Sequence, residues 1–130
     1  MDSSKKAATF LRRHAEAEEN EVVYVLLLNG DLQLLGCCEV SHGSTRATVC
    51  EPEQIFRAAI AFGARSVIVA HNHPAGSVQP SLEDISATKR IIECGHLLGV
   101  QVDDHIILGS RGTYSSLRDS HGSMFQSSAA

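Results

Sequence analysis

The sequence predicts a single α/β domain, a mixed β-sheet flanked by helices, and three observations carry that prediction. Short runs of β-branched and large aliphatic residues have strand length, as in Glu21–Leu28 and Ser66–Ala70. Two longer stretches, Pro52–Phe62 and the one opening near Ser81, repeat their apolar residues at helical spacing. The two kinds of segment alternate along the chain, which is the order that builds a sheet with helices on its faces.

With 130 residues, 43% of them hydrophobic, the chain is long enough for one real core. It divides into an N-terminal helix or extension over 1–20, the domain proper over 21–118, and a small, polar, aperiodic tail over 119–130 that is expected to be mobile. No run approaches the ~18 apolar residues of a membrane span. Lys5, Lys6, Arg12 and Arg13 lack the apolar stretch of a signal peptide. No membrane partner is expected, and the expected location is cytoplasmic. Cys37, Cys38, Cys50 and Cys94 contain no Cys-x-x-Cys pair and read as reduced thiols. A net charge of −4 does not support a surface built to hold phosphate backbones. The pattern sets no oligomeric state.

In order, Ala7, Phe10, Leu11 and His14 recur at helical spacing and predict an amphipathic helix from about Ser4 to Glu19. Glu21–Leu28 is a long apolar strand. Asn29-Gly30 suits a two-residue hairpin turn, so Asp31 to about Val40 returns as its partner. That turn pairs Leu28 with Asp31 and places Cys38 across from Glu21, with Glu39 on the other face. A weaker strand pattern lies at Ala47–Cys50. Pro52 opens a helix whose Ile55, Phe56, Ala59, Ile60 and Phe62 share a face, ending at Gly63. The helix after Ser81 shows Ile85, Thr88, Ile91, Ile92, Gly95 and Leu98 at the same period and closes at Gly99. Strands follow near Val100–Leu108 and Thr113–Leu117.

The chemistry is concentrated between Ala70 and Asp84. His71 and His73 stand at or just past the end of the Ser66–Ala70 strand, where side chains two apart share a face. Pro74, Gly76 and Pro80 make the next residues a loop that turns back before a helix opens at Ser81. Asp84 falls in that helix's first turn. Two imidazoles and a carboxylate form a ligand set that Zn²⁺ accepts, and three protein ligands leave its fourth position open. Ser81-Leu-Glu-Asp84 also reads as a helix capping box.

His71-x-His73, ten residues, then Asp84, with Ser81 three before it, resembles the JAMM (MPN+) metalloprotease signature. His71-Asn-His-Pro-Ala-Gly76, Pro80-Ser81-x-x-Asp84-x-x-x-Thr88 and Asp104-His105-Ile-Ile-Leu-Gly109 narrow the resemblance to the RadC-like branch, over roughly Glu21 to Leu117. The resemblance implies a JAB-type fold, similar to the cytidine-deaminase-like layer arrangement, holding one zinc per chain on His71, His73 and Asp84. RadC-like proteins often carry an N-terminal helix-hairpin-helix segment, for which this chain is read as having no room.

A peptidase also needs a base, because zinc lowers the pKa of its water to about 7 but the proton must still reach the leaving amine. Glu21 and Glu39 are the candidates. Glu21 matches the family glutamate that precedes the first strand and acts as general acid and base; Glu39 is the alternative. Ser81 stands at the family's serine position, where its hydroxyl would donate to a developing oxyanion. Cys38 is a further thiol near the expected pocket, able to compete as a ligand or be oxidised. Asp104 and His105 read as a supporting or core pair rather than as ligands.

The implied activity is zinc-dependent hydrolysis of a peptide or isopeptide bond, with a peptide or protein as substrate. A zinc deaminase would need His-x-Glu and Pro-Cys-x-x-Cys ligands, which the chain lacks. His-Asn-His letters alone do not make an HNH nuclease, whose residues are dispersed in a ββα unit. The standing alternative is a non-catalytic or DNA-repair-associated binding module, a DNA link that the family name suggests and the net charge does not support.

Overall fold

The computed structural model describes residues 1, 3–16, 21–42, 51–73 and 76–126. Helix α1 (Ser4–Glu16) leads to strands β1 (Val22–Leu28) and β2 (Leu34–His42), then helix α2 (Pro52–Phe62) and strand β3 (Ser66–Asn72). Helix α3 (Leu82–Leu98), strands β4 (Gln101–Leu108) and β5 (Tyr114–Ser116), the short helix α4 (Leu117–Ser120) and a 3₁₀ turn (Gly122–Phe125) complete it. The strands form one mixed sheet in the order β2-β1-β3-β4-β5, with β3 and β4 parallel and the other neighbours antiparallel. This is the α/β sheet with flanking helices that the alternating pattern predicts. The strand expected at Ala47–Cys50 and the end of α1 near Glu19 lie outside the described residues.

Strand alternation sorts the core into two layers. Val23, Val25, Leu27, Val67, Val69 and Val102 pack with Ile55, Phe56, Ala59 and Ile91 of α2 and α3. Val22, Tyr24, Leu26, Leu28, Ile68 and Ala70 pack with Ala7, Ala8 and Leu11 of α1 on the other face. Every residue of β1 and β3 is buried, because both strands are central and covered on both sides. That explains their near-continuous apolar runs. Among the described residues no helix is long and apolar enough to cross a membrane.

The β1–β2 hairpin differs from its expected form. Asn29 does not sit in a two-residue turn: its Oδ1 accepts from the amides of Asp31 (2.8 Å) and Gln33 (2.9 Å), and its own amide donates to the Gln33 carbonyl (2.9 Å). The Asn side chain organises a five-residue loop in the way side-chain turns do, with Leu32 at φ 63°. Leu28 consequently pairs with Leu34, and register shifts follow between Leu27 and Leu28 and between Val23 and Tyr24. Cys38 lies across from Val25 rather than Glu21, packed against the layer under α2 and α3. It is thus displaced along the hairpin from the place that made it a candidate ligand. Cys37, Cys38 and Cys94 are free thiols.

The chain after β5 continues through α4 and the 3₁₀ turn as far as Gln126. Ser116 caps α4 through Asp119, and the buried Asp104 carboxylate accepts from Ser116 Oγ (2.6 Å) and the Arg118 amide (3.0 Å). Phe125 then packs against the core under α2 and α3. No period marks these short turns, because single contacts rather than a repeating face hold them.

Gly95 shows how tightly α3 returns to the sheet. A Cβ there would collide with the Val100 carbonyl oxygen, in a turn held by the Val100 amide on the Gly95 carbonyl at 2.9 Å. Alanine recovers ~1 kcal/mol of helix propensity, but crowding a packed interior costs ~1–3 kcal/mol or more when backbone must move. Gly95→Ala should therefore lower the unfolding midpoint by several degrees in a thermal melt; an unchanged or raised midpoint would show that α3 can shift freely.

Candidate metal centre

The carboxyl ends of the parallel pair β3 and β4 are where open α/β sheets place ligands, and the chemistry-bearing residues gather there. His71, in β3, faces the α2/α3 side because it is in phase with Val67 and Val69. Beyond the strand, the His73 amide donates to the Leu108 carbonyl (2.8 Å), which carries the ladder one residue further. Gly76 at φ 98° then turns the chain back, with its amide on the His73 carbonyl (2.8 Å). Ser81 opens α3 with a complete capping box: the Asp84 amide donates to Ser81 Oγ (3.0 Å) and the Ser81 amide to Asp84 Oδ2 (2.9 Å). The cap holds the Asp84 side chain at the head of the helix, beside the two histidines.

His71 Nε2 lies 2.9 Å from His73 Nε2 and 3.4 Å from Asp84 Oδ1, and His73 Nε2 lies 3.7 Å from Asp84 Oδ2. One ligand atom from each residue falls within 4.8 Å of the others, a grouping that could hold a metal ion. The donor chemistry fits. His73 Nδ1 is 2.7 Å from the Ser77 carbonyl, which can only accept, so Nδ1 carries a proton and Nε2 is the nitrogen turned toward His71 and Asp84. Burial alone would raise the Asp84 carboxyl, but hydrogen bonding and charge from His71, together with the Ser81 amide and hydroxyl, outweigh it and hold the carboxyl well below its usual range. Asp84 is therefore an anion at the head of a helix, where the dipole also favours it.

The other expected residues take different places relative to this group. Glu21 is half-buried just before β1; Val23 pairs with His71, so strand alternation puts Glu21 on the His71 side of the sheet, level with His73. The Val22 amide donates to Asn72 Oδ1 at 2.7 Å, tying that end of β1 to the residue between the histidines. Glu39 is exposed and pairs with Tyr24, whose ring belongs to the layer under α1, the opposite face. Ser81 is exposed, and its hydroxyl oxygen accepts from the Asp84 amide. A broad cleft of about 1620 Å³ at the other end of β3 and β4, lined by Arg65, Ser66, Lys89 and Gln101 among others, includes none of these residues.

Asp104 and His105 prove to have separate roles. Asp104 secures the segment after β5, whereas His105 reaches the site: its Nε2 is 2.8 Å from His71 Nδ1 and its Nδ1 is 2.6 Å from Thr88 Oγ1. Burial, with the neighbouring His71 adding to it, pushes His105 down to about 3, so its ring is neutral at ordinary pH. Thr88, Ser77 and Asn72 were not singled out for these contacts. Only Thr88 carried a signal, its place four residues after Asp84 on the same helix face.

The fold and the site together define an α/β domain with a His, His, Asp cluster of metal-ligand type at the carboxyl ends of its parallel strands. A family model described as the RadC-like JAB domain matches residues 1–123, and the chain belongs to that family. It is 42% identical over 110 residues to a UPF0758 protein of Clostridium beijerinckii, covering 85% of this chain and 48% of the relative. A UPF0758 protein of Enterococcus faecalis is 36% identical over 119 residues, 92% of this chain and 51% of the relative. One of Thermosynechococcus vestitus is 40% identical over 119 residues, 92% of this chain and 47% of the relative. The chain thus spans about half the length of these relatives, whose names state no activity.

Proposed function

We propose that this domain is a zinc-dependent hydrolase of a peptide or isopeptide bond, with His71, His73 and Asp84 holding the metal. The observation that carries the reading is the convergence of two imidazole nitrogens and an ionised carboxylate at one point; alternation continued back from Val23 would turn Glu21 to the same side of the sheet. Bound there, zinc would supply Lewis acidity and an acidified water. The residues of the chain would do the rest. Glu21 accepts a proton from the attacking water as its oxygen bonds to the carbonyl carbon. Ser81 donates its hydroxyl to the oxygen on which charge develops. When the C–N bond breaks, Glu21 returns the proton to the leaving amine, so protons balance over the cycle. The pairing of an ionised ligand carboxylate with a separate carboxylate base divides two tasks that one group cannot perform at once.

The test is turnover of peptide- and isopeptide-linked fluorogenic conjugates by the zinc-loaded chain. Hydrolysis should stop on chelation and return with zinc. A zinc-loaded chain that cleaves no conjugate of either class would overturn the hydrolase reading and leave a metal-stabilised binding module.

A further inference from the structure

Thr88 is buried on α3, one turn after Asp84, and its Oγ1 makes two short contacts: 2.7 Å to the Asp84 carbonyl oxygen and 2.6 Å to His105 Nδ1. A carbonyl oxygen has no proton to give. The Thr88 hydroxyl is therefore the donor to Asp84, as threonine in a helix commonly is toward the preceding turn. Its lone pair must then accept from His105, which places the His105 proton on Nδ1. The neutral ring is left with a lone pair at Nε2, 2.8 Å from His71 Nδ1. His71 must fill that contact with an N–H at Nδ1, so Nε2 is the nitrogen it turns to the site, 2.9 Å from His73 Nε2 and 3.4 Å from Asp84 Oδ1.

We propose that Thr88 and His105 are positioning residues that hold a His71 proton on Nδ1 and so leave Nε2 as the nitrogen that faces the metal site. One helix then contributes to the site twice, through the Asp84 carboxylate and through the Asp84 carbonyl, on which the direction of every proton in the chain depends. The Ser77 carbonyl does the same for His73 directly. The 2.9 Å contact between the two Nε2 atoms, beside the Asp84 carboxylate, brings both nitrogens to one point, where a cation can take the place of a shared proton. The opposite tautomer would aim an N–H at the cation and remove His71 as a ligand. The value of the device for metal binding rests on the zinc reading above; the tautomer itself does not, since the metal-free protein must already show it.

The deciding experiment uses the whole chain and three versions of position 88: wild type, Thr88→Ser, which keeps the hydroxyl, and Thr88→Val, which keeps the size. Nitrogen-15 NMR of the metal-free proteins identifies which ring nitrogen of His71 is protonated, competition with a chromophoric chelator measures zinc affinity, and a thermal melt follows stability. Wild type and Thr88→Ser should show Nδ1 protonated. Thr88→Val should lose that preference and bind zinc about 10- to 100-fold more weakly, the usual effect of removing a group that orients a metal ligand. A packing role alone predicts the reverse order, because Val preserves the Thr volume and Ser does not. His71 without a proton on Nδ1 in the wild type, or ring nitrogens unchanged by Thr88→Val, overturns the assignment. A shifted tautomer with undiminished zinc affinity overturns its role in metal binding. Wild type with the expected tautomer but no affinity for zinc would leave the assignment standing and remove the zinc reading. Should Thr88→Val fail to fold, His105→Gln, whose amide oxygen can accept from His71, against His105→Leu, which cannot, gives the same comparison.

Discussion

Elemental analysis of the purified protein should find about one zinc per chain, the stoichiometry of a three-ligand site of this type, and His71→Ala, His73→Ala and Asp84→Ala should each come out nearly free of it. The expected loss exceeds the ~10- to 100-fold that removal of a merely orienting partner produces, because a ligand itself is gone and two cannot close the site. The three variants differ in what else they disturb. His73 is half-buried and its Nδ1 bonds only a loop carbonyl, so His73→Ala should leave the metal-free fold almost untouched. His71 is buried and its removal strands His105 Nε2 without a partner, at a cost of ~1–3 kcal/mol. Asp84→Ala also breaks half of the capping box, worth ~1 kcal/mol. Asp84→Asn separates these effects, since its amide oxygen can still accept from the Ser81 amide while the ligand charge is lost. Folded Asp84→Asn without zinc assigns the loss to the carboxylate. Wild type without zinc, after expression with zinc and purification without chelator, would reduce the group to a strand end and a helix cap.

Those three residues were legible in the sequence because they are local. A strand end, a loop marked by Pro and Gly, and a helix start lie within fifteen residues of one another, Ala70 to Asp84, and each is announced by its own short-range signal. The period of the apolar residues likewise revealed α2, α3 and the central strands. What alternation could not reveal is where it breaks. Between Val67 and Ile68 the β3–β4 register shifts, so that Val67 pairs with Val102 but Ile68 with Asp104. Asp103 is the extra residue, and it brings both Val102 and His105 to the face under α3, where unbroken alternation would have put them on opposite sides. The contact of His105 with His71 thus depends on a bulge that leaves no pattern in the letters. The same blindness moved Cys38 away from Glu21. There the competitor was Asn29, whose side chain hydrogen-bonds two backbone amides and so replaces the tight turn its dipeptide suggests.

Glu21→Ala should behave in the opposite way to the ligand variants: full zinc content and an unchanged melt, with kcat/KM on any conjugate found by the substrate screen lowered about 10²- to 10⁴-fold. That range corresponds to ~2.7–5.4 kcal/mol of transition-state stabilisation, more than the ~1 kcal/mol that a single substitution typically costs a fold. Geometry favours this residue over Glu39. The ladder sets Val23 opposite His71, the Asn72 side chain holds the Val22 amide at 2.7 Å, and Glu21 is the next residue along on the His71 side. Glu39 pairs with Tyr24 on the α1 side of the same sheet, so a proton moving between it and the metal group would have to cross the sheet. Glu39→Ala should accordingly leave turnover as it is. Equal turnover in Glu21→Ala and wild type would place the base elsewhere. Lost turnover together with lost zinc would make Glu21 a fourth ligand, closing the position a hydrolytic water needs and turning the site from catalytic to structural.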